Sequence, residues 1–155
     1  MMDTLPDGWA LIDPVDIEAD SPLAQVCAAP GIQRVGVALQ GADGWNDTVV
    51  LTRTDVPDDM SDLQWLTTAV DESTRTFPGA FVVDVTPWSM SAGTALVSTL
   101  VSIVDGRSLT TFQWCWMTGE RRRASYCLTG TCRTQDSGTA LGAFVGMLHM
   151  IAESR

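Results

Sequence analysis

Few side chains in this sequence combine the residue types and the spacing that catalysis requires. The one histidine, His149, lies within a stretch of helical periodicity, and only Glu153, at i+4, is an acidic residue at helical spacing from it. A serine or cysteine nucleophile would have to be activated by this single imidazole. We interpret His149 as a surface residue of a helix. The sequence therefore predicts no catalytic residue.

Possible metal ligands are present but lack the pattern of a known site. The acidic run Asp16-Ile17-Glu18-Ala19-Asp20 lacks the glycine and the bidentate glutamate of an EF-hand loop, and we interpret it as a solvated loop. Cys127 and Cys132 have no second pair of ligands with which to complete a tetrahedral zinc site. Phosphate-binding motifs of the types GxxxxGK and GxGxxG are absent from the sequence. We predict neither a metal nor a cofactor.

The four cysteines permit two disulfides without requiring them. If Trp114 pairs with Tyr126 across the second hairpin, Cys115 and Cys127 are diagonal neighbours about 7 to 8 Å apart, which is too far for an unstrained bridge. Cys127 and Cys132 point to opposite faces of one strand, and Cys27 is not assigned to any element. The sequence favours reduced, buried thiols.

Tryptophan is the residue type best suited to bind a partner or a ligand. Trp114 and Trp116 are two residues apart and therefore share one face of a strand. They are either core residues, which the pattern favours, or the lining of a pocket. Trp9, Trp45 and Trp88 lie in turns or at strand ends, where packing explains a large aromatic ring less easily. Two of them exposed together would mark a binding patch. We therefore predict these five residues as candidate contacts with a protein partner or a ligand.

The segment 93–132 must form the centre of the structure that positions these side chains. It has the densest content of aromatic and β-branched residues. Asp105-Gly106 and Gly119-Glu120 are turn signals, because glycine adopts the positive φ that tight hairpins demand. Three consecutive strands in a meander follow from these two turns.

The register of the second hairpin follows from its apolar side chains. The two apolar sets share one face only if even-numbered residues pair with even-numbered residues, because neighbouring strand residues point to opposite faces. We predict Trp114 opposite Tyr126 and Phe112 opposite Leu128. A three-residue loop over 119–121 would give this pairing.

Two helices and further strands complete the predicted fold. Ser61 and Gln64 form a capping box that starts a helix over 61–77. The predicted apolar stripe of this helix, which would pack on a sheet, is Leu63, Leu66, Val70 and Phe77. A second helix, over 137–152, carries Gly138, Gly142 and Gly146 along one side, which we interpret as close approach to a neighbouring backbone. With strands over 9–12, 32–40, 45–54 and 81–85, the pattern predicts an α+β fold, a single domain over 1–155 with an antiparallel sheet of about six or seven strands.

Charge and hydropathy exclude two classes of partner. The net charge of −10 repels phosphate backbones, and the basic cluster Arg121 to Arg123 is small, so nucleic acid is not a predicted partner. No uncharged stretch is long enough for a transmembrane helix.

Residues 1–6 have no features of a secretory signal, which predicts a cytoplasmic protein. If a leader has been removed, a secreted or cell-envelope protein is the alternative.

Four short motifs are spread over nearly the whole chain: LPDGW at 5–9, FPGAF at 77–81, Gly93 with Ala95, and ASYCLTGTC at 124–132. Together they resemble the Mog1/PsbP-like group and, within it, the LpqN-type proteins of actinobacteria. The resemblance implies an α/β/α sandwich and a non-enzymatic binding or accessory role, with no catalytic residues to carry over. Members of the wider group bind a small GTPase, attach to a photosynthetic complex or chaperone secreted effectors. The nine basic residues are all arginine, which agrees with an actinobacterial source, whereas Cys27 lacks the lipobox of many LpqN-type members.

These observations predict a non-catalytic protein-binding accessory module, an adaptor or chaperone linked to secretion or the cell envelope. The alternative is a carrier of a small apolar ligand in a cavity between sheet and helix. An exposed apolar patch of more than a few hundred Å² would favour the first function. A closed cavity of about 300 Å³ or more would favour the second. We expect a protein partner, and a homodimer is one alternative.

Overall fold

One antiparallel sheet organises the residues that the computed structural model describes, which are 5–13, 16, 31–41, 44–77, 79–91, 93–119 and 123–153. Its spatial strand order is β1-β2-β3-β7-β6-β5-β4. This confirms the predicted α+β fold with an antiparallel sheet and two main helices. The elements are β1 Trp9–Ile12, β2 Ile32–Ala38, β3 Thr48–Asp55, α1 Asp62–Thr76, β4 Phe81–Met90, β5 Gly93–Val104, β6 Arg107–Thr118, β7 Ala124–Arg133 and α2 Ser137–Glu153.

The hairpin between β5 and β6 turns where the sequence predicts. Asp105 and Gly106 have φ values of 50° and 75°, and Val104 pairs with Arg107 across this two-residue loop. Positive φ at both central residues gives the turn the twist of the flanking strands. The first turn of the predicted meander is therefore confirmed.

The hairpin between β6 and β7 has a different register from the predicted one. Trp116 lies opposite Tyr126, and Trp114 lies opposite Leu128, so each predicted partner is wrong by two residues. The even-with-even rule holds, because a shift of two residues leaves every side chain on its face. The connection between the last pair, Thr118 and Ala124, is five residues long instead of three. Side-chain alternation could not reveal this difference.

The main core lies between the sheet and α2. Trp114, Trp116 and Phe144 are fully buried there, and the Trp116 ring stacks on Tyr126 with centroids 5.8 Å apart. Gly130 of β7 makes room for the Phe144 ring, because a Cβ at residue 130 would lie 2.6 Å from the nearest ring atoms. Because Gly130 has no side chain, α2 can pack closely against the central strand.

The other helix, α1, covers the opposite face of the sheet. Its capping box is confirmed, since the Gln64 amide donates to Ser61 Oγ at 3.2 Å and the Ser61 amide donates to Gln64 Oε1 at 2.9 Å. Leu63, predicted for the apolar stripe, is exposed, whereas Ser73 is buried and its hydroxyl donates to Gln113 Oε1 of β6. This interface is therefore more polar than predicted, and the two helices enclose the sheet in an α/β/α arrangement.

Three glycines of α2 do not have the predicted role. Gly138, Gly142 and Gly146 are exposed, and no atom of the described residues lies within 4 Å of a Cβ built at any of them. The prediction of a close backbone approach was wrong, because α2 turns its opposite side to the sheet. Among the described residues, neither helix has the length and apolar character needed to span a bilayer.

Candidate functional site

The five tryptophans selected from the sequence do not form an exposed patch. Trp114 and Trp116 are 0% and 1% exposed, which supports their interpretation as core residues. Trp88 is half-buried, with its ring edge-on to Trp114 at a centroid distance of 6.2 Å. Trp9 is half-buried against Phe144 at 5.9 Å. That Trp9, Trp45 or Trp88 contacts a partner stays a prediction.

The fold brings Trp9 and Trp45 together at one cleft. The cleft has a volume of about 370 Å³ and lies between β1, the residues that follow β2 and precede β3, and the start of α2. Charged residues share its wall with the two indoles, which distinguishes it from the closed apolar cavity that the carrier prediction requires. Its lining includes Trp9, Trp45, Asp47, Arg133, Asp136 and Ala143.

Hydrogen bonds fix the polar groups of this cleft. The Trp45 indole donates to Asp47 Oδ1 at 3.2 Å, and Arg133 donates to Asp136 Oδ2 from Nε at 2.7 Å and from a terminal nitrogen at 2.6 Å. Burial raises the pKa of Asp47, partly opposed by the Trp45 hydrogen bond, and the nearby Asp136 carboxylate raises it further. The arrangement suits a small molecule with a planar apolar part and a polar end.

A buried thiol close to the cleft is unsuited to nucleophilic chemistry. Burial, followed by the charges of Asp47 and Asp136, raises the pKa of Cys132 to about 12. Its Sγ donates instead to the Thr110 carbonyl at 3.7 Å. Because the thiolate is the reactive form of cysteine, this side chain stays protonated at neutral pH and is a weak nucleophile.

Asp47→Asn is expected to stabilise the fold at neutral pH but not in acid. The pKa of Asp47 is raised above its usual value of 3.8 in the folded state, so the native carboxyl binds its proton more tightly than the unfolded one. Stability is therefore lost as pH rises from 3.8 through the raised pKa, and asparagine avoids this loss while still accepting the Trp45 hydrogen bond. Urea unfolding of both proteins below pH 3.8 and at neutral pH measures the difference. A difference independent of pH would contradict the assignment.

A second candidate surface is an apolar strip along the edge of the sheet. β4 is the last strand, so its backbone is paired only with β5, and the strip combines β4 with the nearby end of β5. Phe81, Val83 and Ile103 are 76%, 63% and 74% exposed. Val82, Val85 and Val104 are also exposed, but they belong to the other face of the sheet, because Val82 pairs with Leu100 and Val85 with Ser98, and Val104 follows Ile103 directly. The strip is therefore formed by Phe81, Val83 and Ile103. No tryptophan contributes to it, so the positions of the tryptophans in the sequence do not indicate this surface.

The pairing of β4 with β5 is interrupted at Val83, which is part of this strip. Phe81 pairs with Val101 and Val82 with Leu100, but the next pair is Asp84 with Thr99. Val83 is thus a bulge residue, left out of the ladder, and a bulge bends the strand and redirects its side chains. The sequence run Phe-Val-Val could have indicated this surface only if the edge position of β4 had been known.

The remaining candidates from the sequence do not assemble into a site. His149 is exposed on α2, which confirms its interpretation as a surface residue. Within the described ranges, no group of three or more His, Cys, Asp or Glu residues is arranged to hold a metal ion. Of the acidic run 16–20, the structure describes only Asp16. Residues 17–20 and Cys27 lie outside the described residues.

Comparison with solved structures identifies the fold. The chain has the fold of LpqN. LpqN of Mycobacterium tuberculosis, described as involved in cell envelope biogenesis, matches with a TM-score of 0.67 and 17% identity over 90% of this chain and 75% of LpqN. PA94 of Pseudomonas aeruginosa, a protein of unknown function, matches with a TM-score of 0.61 and 14% identity over 76% of this chain and 79% of PA94.

Sequence comparisons add no family to this structural likeness. No family model matches the chain, and no curated protein matches it. The similarity to LpqN therefore concerns the fold, and membership of the Mog1/PsbP-like group stays a prediction.

Proposed function

We propose that this chain is a non-catalytic protein-binding module and that the apolar strip is its contact surface. The observation that supports this proposal is the exposure of Phe81, Val83 and Ile103 together at the sheet edge. Monomeric proteins rarely expose large contiguous apolar patches unless they bind something. Burying each of these side chains in an interface would contribute roughly 1.5 to 3 kcal/mol before the costs of association.

The backbone of β4 limits how a partner can bind. Pro87 has no amide hydrogen to donate, and the bulge at Val83 interrupts the regular ladder. Both features oppose the addition of a long, regular strand to the edge. The partner segment is therefore held mainly by side-chain contacts with the strip and not by continuous strand pairing.

Charge indicates the chemistry of that partner. Asp84 is the one charged residue in the sequence of β4, and Asp105 follows β5 directly. The chain as a whole has a net charge of −10. A second copy would therefore be repelled, whereas apolar side chains flanked by lysine or arginine would complement the strip.

The likeness to LpqN supports a more specific version of this proposal. LpqN is described as involved in cell envelope biogenesis, and the shared fold makes an accessory role in the envelope our preferred setting. In that setting the module would act as an adaptor or chaperone for an envelope or secreted protein.

Phe81→Asp and Ile103→Asp are each expected to weaken partner capture at least tenfold. Each variant places a charge in the apolar contact, and a tenfold loss corresponds to about 1.4 kcal/mol. The matched control is Leu63→Asp on α1, because Leu63 is similarly exposed at 71%. Quantitative mass spectrometry of proteins retained from the native organism measures the effect. Circular dichroism should show all three variants folded.

Two results would contradict the strip as the binding surface. Equal retention by the wild type and both strip variants would show that another surface binds the partner. Equal loss with Leu63→Asp would show that the effect is not specific to the strip. If Phe81→Asp instead changed only the mass of the free protein, measured by light scattering, the strip would be a homodimer interface.

The cleft supports a second candidate function, the carriage of a small ligand. Its volume of about 370 Å³ is in the range of ligand-binding sites, and two indoles contribute to its wall. Native mass spectrometry of the protein purified from its own host would reveal a bound molecule. A ligand lost on Trp45→Ala but kept in Phe81→Asp would favour carriage as the function.

A further inference from the structure

The face of the sheet beneath α1 holds a pair of cysteines that the predicted register had separated. Cys115 of β6 lies directly opposite Cys127 of β7, so the prediction that they are diagonal neighbours was wrong. Their Sγ atoms are 2.6 Å apart. Cys115 is buried and Cys127 is half-buried. Neither residue contributes to the apolar strip or to the cleft.

Backbone geometry at this position suits a bond between the two sulfurs. Directly opposed residues of an antiparallel pair have Cα atoms about 4.5 or 5.5 Å apart, and both spacings are within the range of about 4.4 to 6.8 Å found for disulfides. β6 and β7 are each paired on both sides, with β5 and β3 as their outer neighbours. The ladder therefore holds the two thiols together without any rearrangement.

Among the described residues, this is the one cysteine pair with such geometry. Cys132 lies opposite Thr110 and not opposite a cysteine. It belongs to the core on the α2 side of the sheet, whereas Cys115 and Cys127 share the other face. A bond from Cys132 to either of them would have to cross the sheet.

We propose that Cys115 and Cys127 form a redox-active site that a small-molecule disulfide oxidises to a cross-strand disulfide. The half-buried Cys127 thiolate attacks one sulfur of the oxidant RSSR, forming a mixed disulfide and releasing RS⁻. The Cys115 thiolate then attacks Cys127 Sγ, forming the protein disulfide and releasing a second RS⁻. The two protons from the cysteines go to the released thiolates, so the products are one protein disulfide and two RSH.

The local environment controls the rate of this reaction. The hydrogen bond with Cys127, together with burial, raises the pKa of the Cys115 thiol well above its usual value. The attacking species is the thiolate, so oxidation should accelerate as pH rises. On the neighbouring strand β3, the Thr52 hydroxyl donates to the Cys127 carbonyl at 3.4 Å. This hydrogen bond fixes the backbone of Cys127, whose thiolate attacks the oxidant first.

The test is oxidation of the folded protein by oxidised glutathione, followed by alkylation and peptide mapping. We expect a Cys115–Cys127 linked peptide, faster formation at higher pH, and Cys132 still alkylated. Cys115→Ser should leave Cys127 as a stable mixed disulfide with glutathione, because the second thiol is missing. Cys132→Ser should form the linked peptide at the wild-type rate. Circular dichroism checks the fold of each variant, and Cys115→Ala replaces a Cys115→Ser protein that fails to fold.

Either of two outcomes would overturn the proposal. One is full alkylation of both Cys115 and Cys127 in folded protein after prolonged exposure to the oxidant. The other is a linked peptide that joins Cys132 to one of them with equal yield. Oxidation in urea gives the reference distribution, because an unfolded chain does not favour the opposed pair. Partner capture by the reduced protein is measured separately, so failure here does not affect the proposed function.

Discussion

Trp114→Ala is expected to lower the free energy of unfolding by about 3 to 5 kcal/mol. The Trp114 side chain is 0% exposed and lies opposite Leu128 in the central strand pair. Trp88 and Phe112 pack against it, with ring centroids at 6.2 and 5.9 Å. Alanine would leave a cavity that these neighbours cannot fill. Since whole domains are stable by about 5 to 15 kcal/mol, urea unfolding should show a large shift in midpoint.

Trp114→Phe provides the matched comparison. No acceptor among the described residues bonds to the Trp114 indole nitrogen, so phenylalanine sacrifices no hydrogen bond and keeps most of the aromatic packing. We expect a smaller loss, about 1 to 2 kcal/mol. A cost below about 1 kcal/mol for Trp114→Ala would mean that this face of the sheet is not the main core.

Gly130→Val is expected to destabilise the protein by about 1 to 3 kcal/mol or more. Even a Cβ at residue 130 would lie 2.6 Å from the Phe144 ring. That ring cannot move aside easily, because Trp9 and Phe112 pack around it with centroids at 5.9 and 6.4 Å. Valine must therefore displace α2 from the sheet. Thermal and urea unfolding measure the loss.

A double-mutant cycle separates this clash from the general effect of replacing a strand glycine. In a Phe144→Ala background the added side chain has space, so Gly130→Val should cost at least about 1 kcal/mol less than in the wild type. Gly142→Ala on the exposed side of α2 is the control and should stabilise the protein by up to about 1 kcal/mol. Additive effects of the two substitutions at 130 and 144 would contradict the packing.

The elements that the sequence predicted well are those set by local chemistry. The Ser61 capping box and the Asp105-Gly106 turn each depend on residues that are neighbours in the chain. The alternation that places Trp114 and Trp116 on one face is also local, because it follows from the pleat of a strand. Each of these features could be read without knowing what lies across the sheet.

The features that the sequence did not predict depend on contacts between distant segments. A register shift of two residues preserves the faces, so alternation could not place Cys115 opposite Cys127. The exposed side of α2 could not be told from its buried side by its glycines, since small residues are compatible with either environment. The apolar strip depends on the edge position of β4, and the cleft depends on β1, the residues just before β3 and the start of α2 meeting at one end.

Site-specific photo-crosslinking at the strip tests the proposed function most directly. A photoreactive phenylalanine analogue would replace Val83 in the native organism and, as a control, Leu63, two residues exposed at 63% and 71%. We expect a discrete crosslinked species from position 83, joined to a different protein, and none of the same mass from position 63. The absence of a crosslink at position 83, or the same species from both positions, would contradict it.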